Sequence, residues 1–190
     1  MTRIAAEAIE TARLVLEPLR IEHAEPMALV LADPQLHVFT GGVPDTAPQL
    51  RSRYARMLAG PSDPAVSWCN WVVRLRENQQ LTGTIQATIS PDADDALHAE
   101  IAWVIGTAWQ GHGIATEAAR ALVDWLARHP IRAVIAHIHP DPRLSRRRHR
   151  GRSHPHRRGP RRRDQMAQEH RPLILPSTSI DYRLVRALPA

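Results

Sequence analysis

Apolar and polar positions follow two different periods along residues 1–141. Alternation with period two predicts half-buried strands, and recurrence at three and four residues predicts amphipathic helices. The resulting order is strand, two helices, three strands, helix and strand. The predicted strands are Thr11–Leu19, Trp68–Glu77, Gln80–Ser90, His98–Gly106 and Ile131–Pro140, and the predicted helices are Glu25–Asp33, Thr46–Gly60 and Gly113–His129.

This order predicts an α/β fold in which helices flank a mixed central sheet. Thr46 is typical of the residue that caps a helix, and Gly60 of the residue at which one ends. The residues predicted to face the core are Leu50, Tyr54 and Leu58 in the second helix, and Ala118, Leu122 and Trp125 in the third.

Charge divides the chain near residue 142. Residues 1–142 carry 11 arginines against 16 acidic residues, a net charge of −5, and residues 143–190 carry 14 arginines against 3 acidic residues, a net charge of +11. Neither period persists after Pro142. We therefore expect a folded domain over residues 1–141 and an Arg/His/Pro-rich tail over residues 142–190, disordered because it buries too little apolar surface.

The basic tail raises the alternative that the protein binds nucleic acid. Such proteins usually spread positive charge over a folded face or along a helix, whereas here the folded part is mildly acidic. We expect the tail to bind nucleic acid only non-specifically, through charge and with a steep salt dependence. A nucleic-acid-binding protein acting through the tail stays open as the alternative function.

Composition suggests a cytoplasmic bacterial protein. All 25 basic residues are arginine, as expected of a gene rich in G+C. The single cysteine, Cys69, allows no internal disulfide and is interpreted as a core thiol. No apolar run reaches membrane-spanning length, and the first ten residues lack the apolar core of a signal peptide. His137 and His139 share a strand face, but zinc would need two further ligands, so we expect no metal.

The stretch AEIAWVIGTAWQGHGIATEAARALVDWL, Ala99–Leu126, is the most informative part of the chain. A strand is followed by a glycine-containing loop that opens a helix, and such a helix start presents unpaired N–H groups suited to phosphate. Gly111 and Gly113 let a phosphate approach the backbone, and Ala115 keeps the site small. The dinucleotide pattern G-x-G-x-x-G is incomplete. A purely structural glycine-rich helix start is the alternative.

The same stretch closely resembles the acetyl-CoA-binding motif of the GNAT superfamily of N-acetyltransferases, Q/R-x-x-G-x-G/A, at Gln110, Gly113 and Ala115. The opening TARLVLEPL resembles the first strand of the branch that acetylates protein amino termini and small amines. The resemblance covers Thr11 to Asp141. It implies a GNAT-like acyltransferase fold that uses acetyl-CoA as cosubstrate and a small-molecule amine or protein N-terminus as acceptor. It leaves the acceptor and the oligomeric state open.

The resemblance also implies roles for individual residues. The backbone of Trp103, Val104 and Ile105 would pair with the pantetheine, and an N–H near Val104 would stabilise the oxyanion. Glu100 is the candidate general base, although it could simply solvate its strand; His98 is a weaker candidate, and His37 with Phe39 could line the acceptor pocket. The backbone N–H groups that would bind the pyrophosphate belong to Gln110, Gly111, His112, Gly113, Ile114, Ala115 and Thr116.

The chain departs from the family after His139-Pro140-Asp141. The C-terminal helix and last strands expected there are missing or replaced, and no tyrosine lies between Tyr54 and Tyr182 to protonate the leaving thiolate. A CoA-binding domain without catalysis, or an impaired enzyme, is therefore a further alternative. Reading the codons one base later turns Met166-Ala167 into a tryptophan and permits D-G-E at residues 161–163, both typical of the family ending. We hypothesise that the tail is translated out of frame, which the nucleotides of the gene would test.

Overall fold

A computed structural model describes residues 3–37 and 42–136 and the backbone of residues 186–187. The strands are β1 (Ile9–Glu10), β2 (Leu14–Pro18), β3 (Ser67–Leu75), β4 (Leu81–Pro91), β5 (Leu97–Ile105), β6 (Ile131–Ala136) and β7 (Arg186–Ala187). The helices are α1 (Ala24–Val30), α2 (Ala47–Ala59) and α3 (Ile114–Leu126). None of the described helices is long and apolar enough to cross a membrane.

The strands form one mixed sheet in sequence order. All neighbours are antiparallel except β5 and β6, which run parallel and are joined by α3. The β4–β5 ladder runs from Gly83 opposite Ile105 to Pro91 opposite Leu97. The predicted α/β class and the order of the main elements are confirmed.

Helix α3 covers one face of the sheet and forms the main core with it. Its residues Ala118, Leu122 and Trp125 are buried, as predicted. The Trp125 ring meets that of Trp71 edge to face, with centroids 5.2 Å apart. The buried Cys69 lies in the same core, and burial raises the pKa of its thiol to about 12. The thiol is therefore protonated near neutral pH, which agrees with its interpretation as a core residue.

Helices α1 and α2 cover part of the opposite face, where Leu50 and Tyr54 pack with Val72 of β3. Gly60 ends α2 with a φ of +78°, and the backbone N–H of Thr46 donates to Gln49 Oε1 at 2.8 Å at its start. The prediction for Leu58 is wrong, because this side chain is 48% exposed. At 100° per residue, Leu58 lies about 80° around the helix from Leu50, whereas Tyr54 lies only about 40° away.

The structure contains two short strands that the sequence did not predict. Strand β1 pairs with β2, placing Ile9 opposite Leu16, and β7 pairs with β6, placing Arg186 opposite Val134. Each has two residues, too few for a period-two pattern to be recognised. The expectation of a disordered tail over residues 142–190 stays a prediction, because only the backbone of residues 186–187 is described in that part of the chain.

A bulge in β4 brings that strand close to the end of β5. Val73 faces Gly83, whereas the next β3 residue faces Leu81, so Thr82 is the extra residue. The Thr82 hydroxyl is buried and donates to the Val73 carbonyl at 3.1 Å. A Cβ on Gly83 would lie 2.2 Å from the Val104 carbonyl oxygen. Only glycine fits here without moving the backbone of β5.

Candidate active site

The last residues of β5 present one backbone edge away from β4. The Gly106 N–H donates to the Thr82 carbonyl at 2.8 Å, so Gly106 directs its backbone groups toward β4. Backbone groups alternate between the two edges of a strand, and the Val104 carbonyl accordingly points at Gly83. The N–H and C=O groups of Trp103 and Ile105 therefore point toward the β6 edge.

That edge extends beyond the pairing with β6 that the structure describes. The parallel register runs from Leu97 opposite Ile131 to Ile101 opposite Ala136. Strand β5 continues through Ile105, four residues past the last described pair. These four residues lie immediately before the loop that leads to α3.

The loop from β5 to α3 is shaped by two glycines with positive φ. A short 3-10 turn, Thr107–Trp109, follows Gly106, and Gly111 and Gly113 have φ of +79° and +76°. Non-glycine residues rarely adopt this conformation. The Gln110 side chain returns to the strand and donates from Nε2 to the Ile105 carbonyl at 2.9 Å.

The N-terminus of α3 has no side-chain cap. Gly113 occupies the N-cap position, and the first intrahelical bond runs from the Glu117 N–H to the Gly113 carbonyl at 3.0 Å. The N–H groups of Ile114, Ala115 and Thr116 consequently have no partner within the helix. Together with the helix dipole they form a positive site that suits an anion. The Gln110 N–H is already engaged with the Thr107 carbonyl at 3.3 Å.

Contacts from both sides of the sheet hold this loop. On the α1 side, the Thr107 hydroxyl donates to Asp33 Oδ2 at 2.6 Å, and the hydrogen bonds from Thr107 and the Gln35 N–H keep the pKa of Asp33 low. On the β2 side, Arg13 Nη1 donates to the His112 carbonyl at 3.2 Å. Arg13 also pairs with Glu117 of α3, Nη2 to Oε2, at 2.6 Å.

Glu117 and Glu17 are both held in ionic contacts. Burial alone would raise the pKa of Glu117, but hydrogen bonds from Thr11 and Arg13 lower it overall. Burial would likewise raise the pKa of Glu17, but its hydrogen bond and charge interaction with Arg74 lower that pKa overall. Both carboxylates are therefore ionised near neutral pH and already neutralised by arginine, so neither is a free base.

Glu100 lies on the sheet face that α1 and α2 partly cover. By strand alternation this face carries Trp68, Asn70 and Val72 of β3, Thr84, Gln86, Thr88 and Ser90 of β4, and His98, Glu100, Ala102 and Val104 of β5. Glu100 is the one carboxylate among these residues of β3, β4 and β5, whereas Glu17 of β2, opposite Val72, lies on the same face and pairs with Arg74. Glu100 is half-buried opposite Thr88, and no group in the described part of the chain forms a hydrogen bond or salt bridge with it.

The other candidate residues are placed as follows. His98 Nε2 lies 3.2 Å from the hydroxyl of Ser90, the residue opposite it in β4. This pair lies next to the Thr88–Glu100 pair on the same sheet face. His37 Nε2 lies 3.2 Å from the Leu31 carbonyl. Trp103 and Trp109 pack against the main core. The predicted residues Phe39, His137 and His139 lie outside the described residues.

Sequence reasoning missed Arg13, Asp33 and Glu117, which position the loop. Arg13 and Glu117 are 104 residues apart, and Asp33 and Thr107 are 74 apart. No short sequence pattern around these residues indicates that the members of either pair are in contact. The one available signal was an acidic residue in the first turn of α3, which is typical of helix N-termini.

Comparison with known proteins gives a consistent result. Residues 13–150 match the family model described as acetyltransferase (GNAT) domain. No curated protein matches the chain. Among solved structures, a GNAT-family acetyltransferase from Bacillus anthracis aligns with a TM-score of 0.59 and 20% identity, covering 74% of this chain and 79% of that chain.

Two further structures carry more specific descriptions. An acetyltransferase from Salmonella typhimurium that modifies the N-terminal serine of ribosomal protein L7/L12 aligns with a TM-score of 0.56 and 16% identity, covering 68% of this chain and 74% of that one. The microcin C7 self-immunity acetyltransferase MccE, in complex with acetyl-CoA and AMP, aligns with a TM-score of 0.57 and 15% identity, covering 71% and 74%. At these sequence identities, the similarity is evidence for a shared fold only.

Proposed function

Because the chain belongs to the GNAT family of acetyltransferases, we propose that it transfers an acetyl group from acetyl-CoA to a primary amine. The observation that carries this proposal is the uncapped N-terminus of α3, which opens beside the outward edge of β5. An anion site next to a strand edge that no described residue pairs with suits a cosubstrate that joins a pyrophosphate to an amide-containing arm.

In this proposal the pyrophosphate binds the backbone N–H groups of residues 111–116. Gly111 and Gly113 leave room for it, and His112 is held between them by Arg13. Gln110 contributes through its side chain, which fixes the Ile105 carbonyl, because its own N–H is bonded inside the loop. The remaining donors are the N–H groups of Ile114, Ala115 and Thr116.

The pantetheine arm pairs with Trp103 and Ile105, whose backbone groups point to the open edge. Val104 directs its backbone toward β4, so the N–H that stabilises the oxyanion comes from one of its neighbours. The neutral amine nitrogen forms a bond to the thioester carbonyl carbon, the carbon–sulfur bond breaks, CoA leaves as a thiolate, and the nitrogen releases its extra proton through water to that thiolate. Since a thiol pKa is about 8.5, water is able to protonate the thiolate without an assigned protein acid.

Glu100 is proposed as the base that removes a proton from the acceptor's ammonium group, so that the neutral amine attacks the thioester. It is the unpaired carboxylate of its sheet face, whereas Glu17 and Glu117 are neutralised. Three residues of strand separate Glu100 from Trp103, roughly 10 Å at the usual rise. This separation is too long for direct transfer, so the proton passes through intervening water.

Replacing Glu100 with Gln is expected to lower kcat/KM by about 10- to 100-fold at neutral pH, with the free thiol of released CoA as readout. The deficit should shrink as pH rises through the pKa of the amine, because a neutral amine no longer needs a base. Glu77→Gln, which changes an exposed glutamate in the β3–β4 turn, is the matched control. An equal deficit at every pH, or an equal loss in the control, would argue against Glu100 as the base.

The acceptor is proposed to be a small-molecule amine or a protein amino terminus. One solved structure of similar fold is described as modifying the N-terminal serine of a ribosomal protein, which supports the second kind of acceptor. We further propose a cytoplasmic location in a bacterium, with the transferase carried by residues 1–141. The tail of residues 142–190 is proposed to contact nucleic acid only through its charge.

A further inference from the structure

One carboxylate at the start of α3 receives four hydrogen bonds or ion-pair contacts from the segment around the start of β2. Glu117 Oε1 accepts from the Thr11 hydroxyl at 2.6 Å and from the Arg13 N–H at 3.0 Å. Glu117 Oε2 accepts from Arg13 Nε at 2.7 Å and lies 2.6 Å from Arg13 Nη2. We refer to Thr11, Arg13 and Glu117 as the clamp. The two N–H groups of Arg13 bind one oxygen, and its main chain binds the other.

The clamp extends to the loop that precedes α3. Arg13 Nη1 donates to the His112 carbonyl at 3.2 Å, and Nη2 lies 3.6 Å from where a Cβ on Gly113 would be. His112 stands between two glycines with positive φ, the residues with the most conformational freedom to lose. One arginine therefore fixes the helix start and the loop together.

The clamp also neutralises a negative charge next to the proposed pyrophosphate site. The N-terminus of α3 suits an anion, but Glu117 places a negative charge in its first turn. Arg13 neutralises that charge and draws the carboxylate toward β2. Without Arg13, the ionised Glu117 would repel a bound pyrophosphate, and at an effective dielectric of about 20 the repulsion across roughly 8 Å corresponds to a loss of affinity of more than tenfold.

We infer that Thr11, Arg13 and Glu117 are positioning residues that preorganise the α3 N-terminus for the pyrophosphate of the donor. The inference rests on the proposed function, since it takes acetyl-CoA as the ligand of this loop. It makes a selective prediction. Loss of Arg13 should weaken binding of donors that contain the ADP moiety and leave the acetyl-pantetheine part unaffected.

The test compares two donors on the full-length chain by calorimetry. Arg13→Gln is expected to raise the Kd of acetyl-CoA by more than about tenfold and to change the Kd of S-acetyl-pantetheine, which lacks ADP, by less than about twofold. Adding Glu117→Gln should restore part of the acetyl-CoA affinity, because the uncompensated charge is gone. Arg120→Gln is the matched control: it removes an exposed arginine of the same helix and should leave both constants within about twofold.

A second measurement needs no ligand. Amide hydrogen exchange at residues 111–115 should be faster in Arg13→Gln than in the wild type or Arg120→Gln, while exchange in β3 and β4 stays unchanged. Equal losses for the two donors, equal effects of Arg13→Gln and Arg120→Gln, or unchanged exchange in the loop would each overturn the inference. Wild-type protein that binds no acetyl-CoA would overturn the proposed function; wild-type binding that Arg13→Gln leaves intact would overturn the clamp alone.

Discussion

Replacing Gly113 with Asp is expected to weaken acetyl-CoA binding by about three orders of magnitude. Gly113 has a φ of +76° and stands at the N-cap of α3 with no capping side chain. An Asp there would place a carboxylate beside the proposed pyrophosphate site, and two like charges about 4 Å apart at an effective dielectric near 20 repel by about 4 kcal/mol. Its side chain would also cap the N–H groups that the phosphate needs.

Gly113→Asn separates charge from shape. Asn has nearly the same size, and both Asn and Asp tolerate positive φ better than other residues. We expect Asn to weaken binding by about tenfold, through capping and strain alone. The affinity of both variants for acetyl-CoA is measured by calorimetry. If Asp and Asn had the same effect, phosphate would not be bound at this helix terminus.

Replacing Gly83 with Ala is expected to lower the free energy of unfolding by about 3 kcal/mol. The added Cβ would lie 2.2 Å from the Val104 carbonyl oxygen and 2.9 Å from Ile105 Cα. Both are backbone atoms that no rotamer change can move, so β4 and β5 must separate locally. For a chain of this size such a loss corresponds to a fall in Tm of about 6–12 °C.

The same substitution should also impair the proposed donor site. It displaces the backbone of Val104 and Ile105, and Ile105 pairs with the pantetheine in our proposal. Thr84→Ala, at the next position of β4, is the control, because Thr84 is half-buried on the opposite face and should cost less than 1 kcal/mol. Thermal unfolding followed by circular dichroism measures both variants. Gly83→Ala with an unchanged Tm would contradict the bulge geometry.

The elements that sequence periodicity predicted well are those whose burial is one-sided. Strand β4 alternates between buried and half-buried positions from Gly83 to Ser90, and α3 has a continuous apolar face from Ile114 to Leu126. Such patterns follow from the side-chain directions of strands and helices. Strands β1 and β7 were missed because two residues form no pattern, and Leu58 was misplaced because apolar character alone does not establish burial.

The loop between β5 and α3, here called the donor loop, was predictable from the sequence, but the contacts that hold it in place were not. Glycines at positions 111 and 113 and a small residue at 115 mark the helix start locally. The contacts of Arg13 with Glu117 and of Asp33 with Thr107 join segments far apart in the chain, and only the folded sheet brings them together. The sequence also does not show which glutamates form ion pairs. Among the described residues, Glu17 and Glu117 pair with arginines and Glu100 does not.

The boundary of the family match bears on the tail. The match extends to residue 150, beyond His139-Pro140-Asp141, where the sequence departs from the family ending. The hypothesis that the remaining residues are translated out of frame stays a prediction about the gene. The donor loop lies wholly before that point, so the proposed acetyl-CoA site does not depend on how the tail arose.

The most direct test of the account is a calorimetric titration of the 190-residue chain with acetyl-CoA, at a salt concentration that screens the arginines of the tail. We predict one-to-one binding with a Kd in the micromolar range, roughly 8 kcal/mol of binding free energy, because the α3 N-terminus and the β5 edge are already formed. The absence of measurable binding would contradict the account: the chain would keep the fold of an acetyltransferase without the donor site.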